Sequence, residues 1–259
     1  MTLDRGTPVV ELEGVSRRYG KTHAVRDFNL TIHSGEVVGL VGDNGAGKST
    51  VVKMISGYVA PTGGTIKVMG EPVSFKSPRQ ARAAGIETVY QDLAIVNDMA
   101  LWRNFFLGQE MHRRLVGTRV LQVRKMARIC DEHLSHVGLR SVDSVHQFAG
   151  TLSGGERQSL AISRAVYFES RLLLLDEPVA ALSVRERRNV FEAIDHAKGQ
   201  GLGVLYIDHN MDHVLPVADR IAVMDRGTLS RIVQRGELTA AELSDVVADS
   251  GLYDDGVTS

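Results

Sequence analysis

At 259 residues, with 43% hydrophobic and 24% charged side chains, the chain has the size and balance of one large globular domain or a domain plus a subdomain. A net charge of −1 leaves no electrostatic footprint for nucleic acid, and the single cysteine, Cys130, has no partner for an internal disulfide. No apolar run approaches the roughly 18 residues needed to cross a bilayer, and Met1 to Gly6 lack the apolar core of a signal peptide, so the expectation is a cytosolic protein that reaches any membrane through a partner.

In chain order, residues 9–15 read as a first strand, and the alternation Phe28, Leu30, Ile32 marks a second with one buried face. The two are expected to pair antiparallel across Arg17-Arg18-Tyr19-Gly20, read as a polar turn. Residues 36–41 form a short apolar run suited to a buried parallel strand. It leads into Gly42-Asp43-Asn44-Gly45-Ala46-Gly47-Lys48-Ser49-Thr50, which satisfies G-x-x-x-x-G-K-[S/T]. Residues 50–56 can continue as a helix until Gly57 stops it. Strand, glycine loop and helix together read as a phosphate cradle. The glycines let successive N–H groups turn inward, and the helix N-terminus adds partial positive charge. Lys48 would contact the β- and γ-phosphates, and the Ser49 hydroxyl would ligate Mg²⁺.

Pro61-Thr62-Gly63-Gly64 is a turn, followed by a strand at 65–68 and a hairpin through Gly70-Glu71-Pro72. Pro78 to Ala84 suits a helix closed by Gly85, and a strand at 86–90 delivers Gln91 at its end. From 92 to 150 the β signals vanish and 123–137 shows helical spacing, which predicts a helical insertion. Beyond 152, strands at 172–175, 203–207 and 221–224 alternate with helices at about 183–198 and 210–218, implying a largely parallel sheet. Thr239 and Glu242 form a capping box for a closing helix, and 251–259 reads as a flexible tail.

Two further stretches carry chemistry. The strand 172–175 runs into Asp176 and Glu177, and strand carboxyl ends are where open parallel sheets hold ligands. Asp176 would hold Mg²⁺ and Glu177 would orient or deprotonate the attacking water. In Leu152-Ser153-Gly154-Gly155-Glu156-Arg157-Gln158, Ser153 and Glu156 make a capping box. Gly154 and Gly155 go beyond it, since they weaken a helix and permit close approach at its N-terminus. A second phosphate site there suggests a composite active site.

Taken with the helical insertion, these motifs resemble the nucleotide-binding subunit of ATP-binding-cassette (ABC) transporters, over residues 8–250. The resemblance implies an α/β fold: a P-loop NTPase core, with a mixed sheet that has a parallel core and an antiparallel β subdomain, plus an inserted helical subdomain. Residues 8–91 and 151–250 would form the core and 92–150 the helical subdomain, with the signature at 152–158. Tyr19 would stack on adenine, Gln91 would sense Mg²⁺ and the γ-phosphate, and His209 would contact the γ-phosphate. Two copies would meet head to tail, with Leu152, Ser153, Gly154, Gly155, Glu156 and Gln158 of one closing over ATP held by the other.

The implied protein is an ATPase with ATP and Mg²⁺ as cofactors, peripheral on the cytoplasmic face of the bacterial inner membrane. Its partners would be integral membrane permease subunits and, indirectly, a substrate-binding protein, with no nucleic acid. Tyr90-Gln91-Asp92-Leu93-Ala94 and Tyr206-Ile207-Asp208-His209-Asn210 look like the ATPases of ribose, xylose and fructose-type importers. The alternatives are a branched-chain amino acid importer and a soluble ABC-type ATPase. There are two departures from the family pattern: the loop Val179-Ala180-Ala181-Leu182-Ser183 replaces the usual T-S-A-L-D, and Asp208 stands where serine is common. His209 and His213 are four apart, but Asn210 occupies the place of the general base in H-E-x-x-H, so no zinc site is expected.

Overall fold

Side-chain alternation decides the first two strands, β1 (Pro8–Tyr19) and β2 (Thr22–His33), which pair antiparallel from Pro8↔His33 to Tyr19↔Thr22. Val10 and Leu12 of β1 and Phe28, Leu30 and Ile32 of β2 are buried. Residues 17–19, expected in a turn, instead continue β1, and the turn is Gly20-Lys21. Arg18 and Tyr19 are exposed, so that end of the strand carries no apolar signal. The computed structural model describes Asp4 and residues 6–90, 95–115, 117–136 and 144–250.

All five residues of β3 (Val37–Val41) are buried, and the chain then passes through the glycine loop into α1 (Lys48–Ile55). β4 (Gly63–Val68) and β5 (Glu71–Val73) form the expected hairpin; α2 (Pro78–Ala83) and β6 (Ile86–Val89) follow. Next come α3 (Leu101–Phe105), β7 (His112–Leu115), β8 (Thr118–Leu121), α4 (Val123–His136) and α5 (Gly154–Tyr167). The remainder alternates: β9 (Leu172–Asp176), α6 (Val184–Gly199), β10 (Gly203–Ile207), α7 (Met211–Val214), β11 (Arg220–Asp225), β12 (Thr228–Gln234) and α8 (Ala240–Ser250).

Backbone contacts divide the chain into two units. One comprises residues 1–91, 170–178 and 198–259, and the other 92–169 and 179–197. The first holds an antiparallel sheet in the order β2-β1-β4-β5 and a six-stranded sheet in the order β12-β11-β3-β10-β9-β6. In the latter only β12 runs antiparallel to its neighbour. The central strands read as continuous apolar runs because both faces are covered, with Leu172 to Leu175 and Val204 to Ile207 buried throughout. β3, β10 and β9 lie side by side and parallel, so the loops leaving their carboxyl ends converge. Strand β12 has no counterpart in the sequence reading, and the helix expected over 210–218 is the single turn α7.

Within that unit the two sheets are tied by a charged cluster. Arg220 of β11 donates from Nε to Glu36 Oε1 at 2.6 Å and from its guanidinium to the Thr31 carbonyl of β2, while the His33 N–H donates to Glu36 Oε2 at 3.0 Å. Burial pushes the Glu36 carboxyl up, but its hydrogen bonds to Arg220 and His33 outweigh this and hold it below the usual carboxylate range.

The second unit departs from a purely helical insertion, since β7 and β8 form an antiparallel hairpin. Its strands span four residues each, and every described side chain in them is exposed, so neither length nor alternation announces them. Phe105, Phe106, Tyr167 and Phe168 pack ring against ring, the Tyr167–Phe168 centroids 4.8 Å apart. Cys130 is buried, and burial pushes its thiol up to about 12. Asn104, also buried, accepts from the Val96 N–H at 2.8 Å and donates to the Val96 and Met99 carbonyls at 3.0 Å, clamping that loop. Residues 92–94, Val137 and the expected tail at 251–259 lie outside the described residues.

Candidate functional site

The glycine loop is shaped by what surrounds it. Gly42 has φ +149 and Gly47 φ +107, and a Cβ added there would sit 2.1 Å from the Met224 carbonyl oxygen and 2.5 Å from that of Ala24. Asp43, Asn44 and Gly45 are exposed, while Ala46 is buried, its N–H donating to the Asp43 carbonyl at 3.1 Å and its carbonyl accepting from Gly227 at 2.9 Å. Helix α1 begins at Lys48 with no side chain capping it, so its first N–H groups are not taken by a capping side chain. Ser49 is exposed on that first turn, and the Thr50 N–H donates to the Gly47 carbonyl at 2.9 Å.

Lys48 is buried, and its Nζ donates to the carbonyls of Gly42 at 2.5 Å and Asp43 at 2.9 Å, folding the side chain back over the loop. Burial pushes its ammonium down, partly offset by the carboxylates of Glu177, Asp43, Asp176 and Asp208. Asp176 is pushed up, first by burial and then by Glu177, with Lys48 acting against the shift. Asp176 and the exposed Ser49 hydroxyl offer oxygen ligands of the kind a divalent cation takes, and among the described residues no group of three or more His, Cys, Asp or Glu stands ready to hold a metal by itself.

Glu177 adopts φ +47, unusual for a residue with a side chain, and its N–H donates to the Ile207 carbonyl at 2.8 Å. This pins the end of β9 to the end of β10 and brings Glu177 Oε1 to 2.9 Å from His209 Nδ1. The His209 side chain is 54% exposed and that of Glu177 28%, so both remain within reach of solvent. Asp208 lies beside this pair, its Oδ1 3.6 Å from the same His209 Nδ1. It is fully buried, with Oδ2 3.0 Å from His213 Nδ1 and Oδ1 accepting from the Asn210 N–H at 3.0 Å. The departure from serine at this position therefore places its carboxylate in a hydrogen-bonded pair.

The Leu152–Gln158 stretch lies in the other unit. Ser153 caps α5, accepting from the Glu156 N–H at 3.3 Å, and Glu156 accepts from the Ser153 N–H at 2.8 Å. Leu152 and Gln158 are buried. The two glycines answer a close approach within the chain: a Cβ on Gly154 would meet Leu182 at 2.7 Å, and one on Gly155 would meet the Glu186 Cβ at 2.8 Å. Ser183 and Glu186 form a further capping box despite the departure at 179–183, and Glu186 also accepts weakly from the Gly155 N–H at 3.5 Å. Hydrogen bonds from Ser183, with Gly155 and Ser153 assisting, lower its carboxyl to about 2.

Tyr19 closes β1, is 44% exposed, and has the Arg17 guanidinium 4.7 Å from its ring centroid. Gln91 lies outside the described residues. Asp208, His213 and Glu186 support the motifs without belonging to them. Of these, only the capping-box spacing of Ser183 and Glu186 is visible in the sequence.

A family model described as ABC transporter matches residues 25–180. The chain belongs to the ABC transporter family. With the family comes the activity class, that of an ABC-type ATPase. The chain is 40% identical to a fructose import ATP-binding protein of Rhizobium meliloti, covering 93% of each chain. It is 41% identical to a xylose/arabinose import ATP-binding protein of Sulfolobus acidocaldarius, over 94% of this chain and 95% of that one. It is 35% identical to a ribose import ATP-binding protein of Burkholderia pseudomallei, of which it spans 49%. Among solved structures, an ATP-binding cassette of an ABC transporter in its ADP conformation superposes with a TM-score of 0.79 at 21% identity, covering 95% of this chain and 99% of that one. A nucleotide-free ATP-binding cassette gives 0.77 at 21% identity over 97% and 100% of the two chains. At that identity the two structures establish the fold, the α/β ABC cassette.

Proposed function

We propose that this ABC cassette binds and hydrolyses ATP to drive a membrane importer for a monosaccharide. The observation that carries the reading is the convergence of the Lys48 loop, Glu177 and His209 at the ends of three adjacent parallel strands, with Glu177 held 2.9 Å from His209. The names of the sugar-import relatives favour a monosaccharide over a branched-chain amino acid.

Backbone N–H groups of 42–50 cradle the phosphates, and Lys48 exchanges the Gly42 and Asp43 carbonyls for phosphate oxygens. Ser49 and Asp176, with Gln91, would hold Mg²⁺, which supplies charge neutralisation at the phosphates. Glu177 orients the attacking water and takes its proton as the oxygen bonds to the γ-phosphorus and the bond from that phosphorus to the β–γ bridging oxygen breaks, ADP leaving with the electron pair. His209 steadies Glu177 and contacts the γ-phosphate. Tyr19 offers its ring to adenine. Two copies meet head to tail, each presenting residues 152–158 to the ATP of the other. Closure is passed to permease subunits through the Gln91 loop and the insertion. No helix among the described residues is long and apolar enough to cross a membrane. The chain would act as a peripheral subunit on the cytoplasmic face, served indirectly by a sugar-binding protein.

Replacing Glu177 by Gln tests this. ATP binding should persist while phosphate release falls by roughly 10²-fold or more, and size-exclusion chromatography with ATP should show a trapped dimer. Normal turnover would reject the assignment. The same variant, tagged and recovered from host membranes with ATP present, should bring down a multi-span permease.

A further inference from the structure

Charge is distributed unevenly along this nearly neutral chain. Residues 111–130 carry six Lys and Arg and no Asp or Glu, while the rest carries 24 against 31. The structure gathers this stretch into the β7–β8 hairpin and the first turns of α4. Arg113, Arg114, Arg119, Arg124 and Lys125 are all exposed, and among the described residues none of them has an ion-pair partner within 4.0 Å. The register sets Arg114 directly opposite Arg119. Like charges facing one another across an antiparallel pair destabilise it, so the hairpin keeps an arrangement that an anionic partner would relieve. Val120, Leu121 and Val123 are exposed beside these arginines.

We propose that the β7–β8 hairpin and the start of α4 form a docking surface for anionic lipid headgroups. This rests on the reading above that the chain works at a membrane. Clustered Lys and Arg are drawn to an anionic leaflet, and adjacent apolar side chains gain by entering the boundary between headgroup and acyl chain. A nucleic-acid backbone offers the valines and leucine nothing, and residues 111–130 contain no Phe, Tyr or Trp on which a base could stack. The arginines are spread along an exposed two-stranded ribbon, which suits a charged plane better than an acidic peptide needing a groove.

The test is co-sedimentation of the purified full chain, without ATP or permease, with phosphatidylcholine vesicles and with phosphatidylcholine–phosphatidylglycerol vesicles. Binding should require phosphatidylglycerol and fall as salt rises. Arg114→Glu with Arg119→Glu should lower it about tenfold or more, and Arg114→Gln with Arg119→Gln should lower it less. Lys76→Glu with Arg79→Glu, the same charge change on exposed residues of the other unit, should leave it unchanged. Circular-dichroism melts matching the parent would show that the hairpin variants are folded. Equal sedimentation with neutral vesicles, retention by the Arg114→Glu, Arg119→Glu variant, or no vesicle binding at all would overturn the proposal. So would hairpin-dependent binding of polyuridylate or polyglutamate without vesicle binding, which would reassign the patch. Because the assay contains neither nucleotide nor permease, its outcome is independent of the Glu177→Gln experiment.

Discussion

Asp208 and His213 show how a single residue can be held in place next to the chemistry without taking part in it. The Asp208 carboxylate is fully buried, and its hydrogen-bonding partners are the His213 ring and the Asn210 N–H. Replacing His213 by Ala removes a hydrogen-bonding partner of a buried carboxyl group that keeps the Asn210 N–H, and should cost about 1–3 kcal/mol, read as a lowered urea midpoint. Changing Asp208 to Asn in the same background should restore part of that loss. The contrast with Lys48 and Glu177 explains what was legible at this scale. Those two sit in continuous strings whose spacing is itself the signal. The direction of the Asp208 side chain depends on a helix turn that begins three residues later, and its neighbour His209 sets one ring nitrogen 2.9 Å from Glu177 and 3.6 Å from Asp208. Asn104 was equally hidden, because its value lies in backbone groups up to eight residues away.

At the scale of elements, the start of α5 depends on the start of α6. With its ideal Cβ 2.8 Å from the Glu186 Cβ and 3.0 Å from the Glu186 carbonyl oxygen, Gly155→Ala must push the two helix starts apart. The gain from better helix propensity, at most about 1 kcal/mol, is outweighed by overpacking of about 1–3 kcal/mol. Chemical denaturation should show a net loss. Elements with strong burial were readable: β10 matches its expected bounds, and β9 gains only Asp176. The outer end of β1, the β7–β8 hairpin and α7 were misjudged and β12 was missed, because exposed strands lack alternation and one helical turn is too short to show a period.

At the scale of the molecule, acid should loosen the tie between the two sheets of the first unit. The folded Glu36 carboxyl lies below its ordinary 4.5, so its contribution is complete above that value and is lost as pH falls through the lower folded one. Glu186, folded at about 2 against 4.5, loses its contribution in the same direction in the other unit. A circular-dichroism titration should show Arg220→Gln unfolding at higher pH than the parent. The parallel character of the main sheet was legible from its apolar runs, but its order was not, because no local signal states which strand lies beside which.

That order has a consequence for how the chain is made. Strand β3, complete at residue 41, finds its neighbours only in 204–207 and 220–223. At translation rates of about 5–20 residues per second, the ribosome needs on the order of ten seconds to deliver them. Until then an entirely apolar strand emerges with both edges bare, the nascent state that holding chaperones serve. The glycine loop is thus translated before the strands that flank β3 and complete the sheet it leaves.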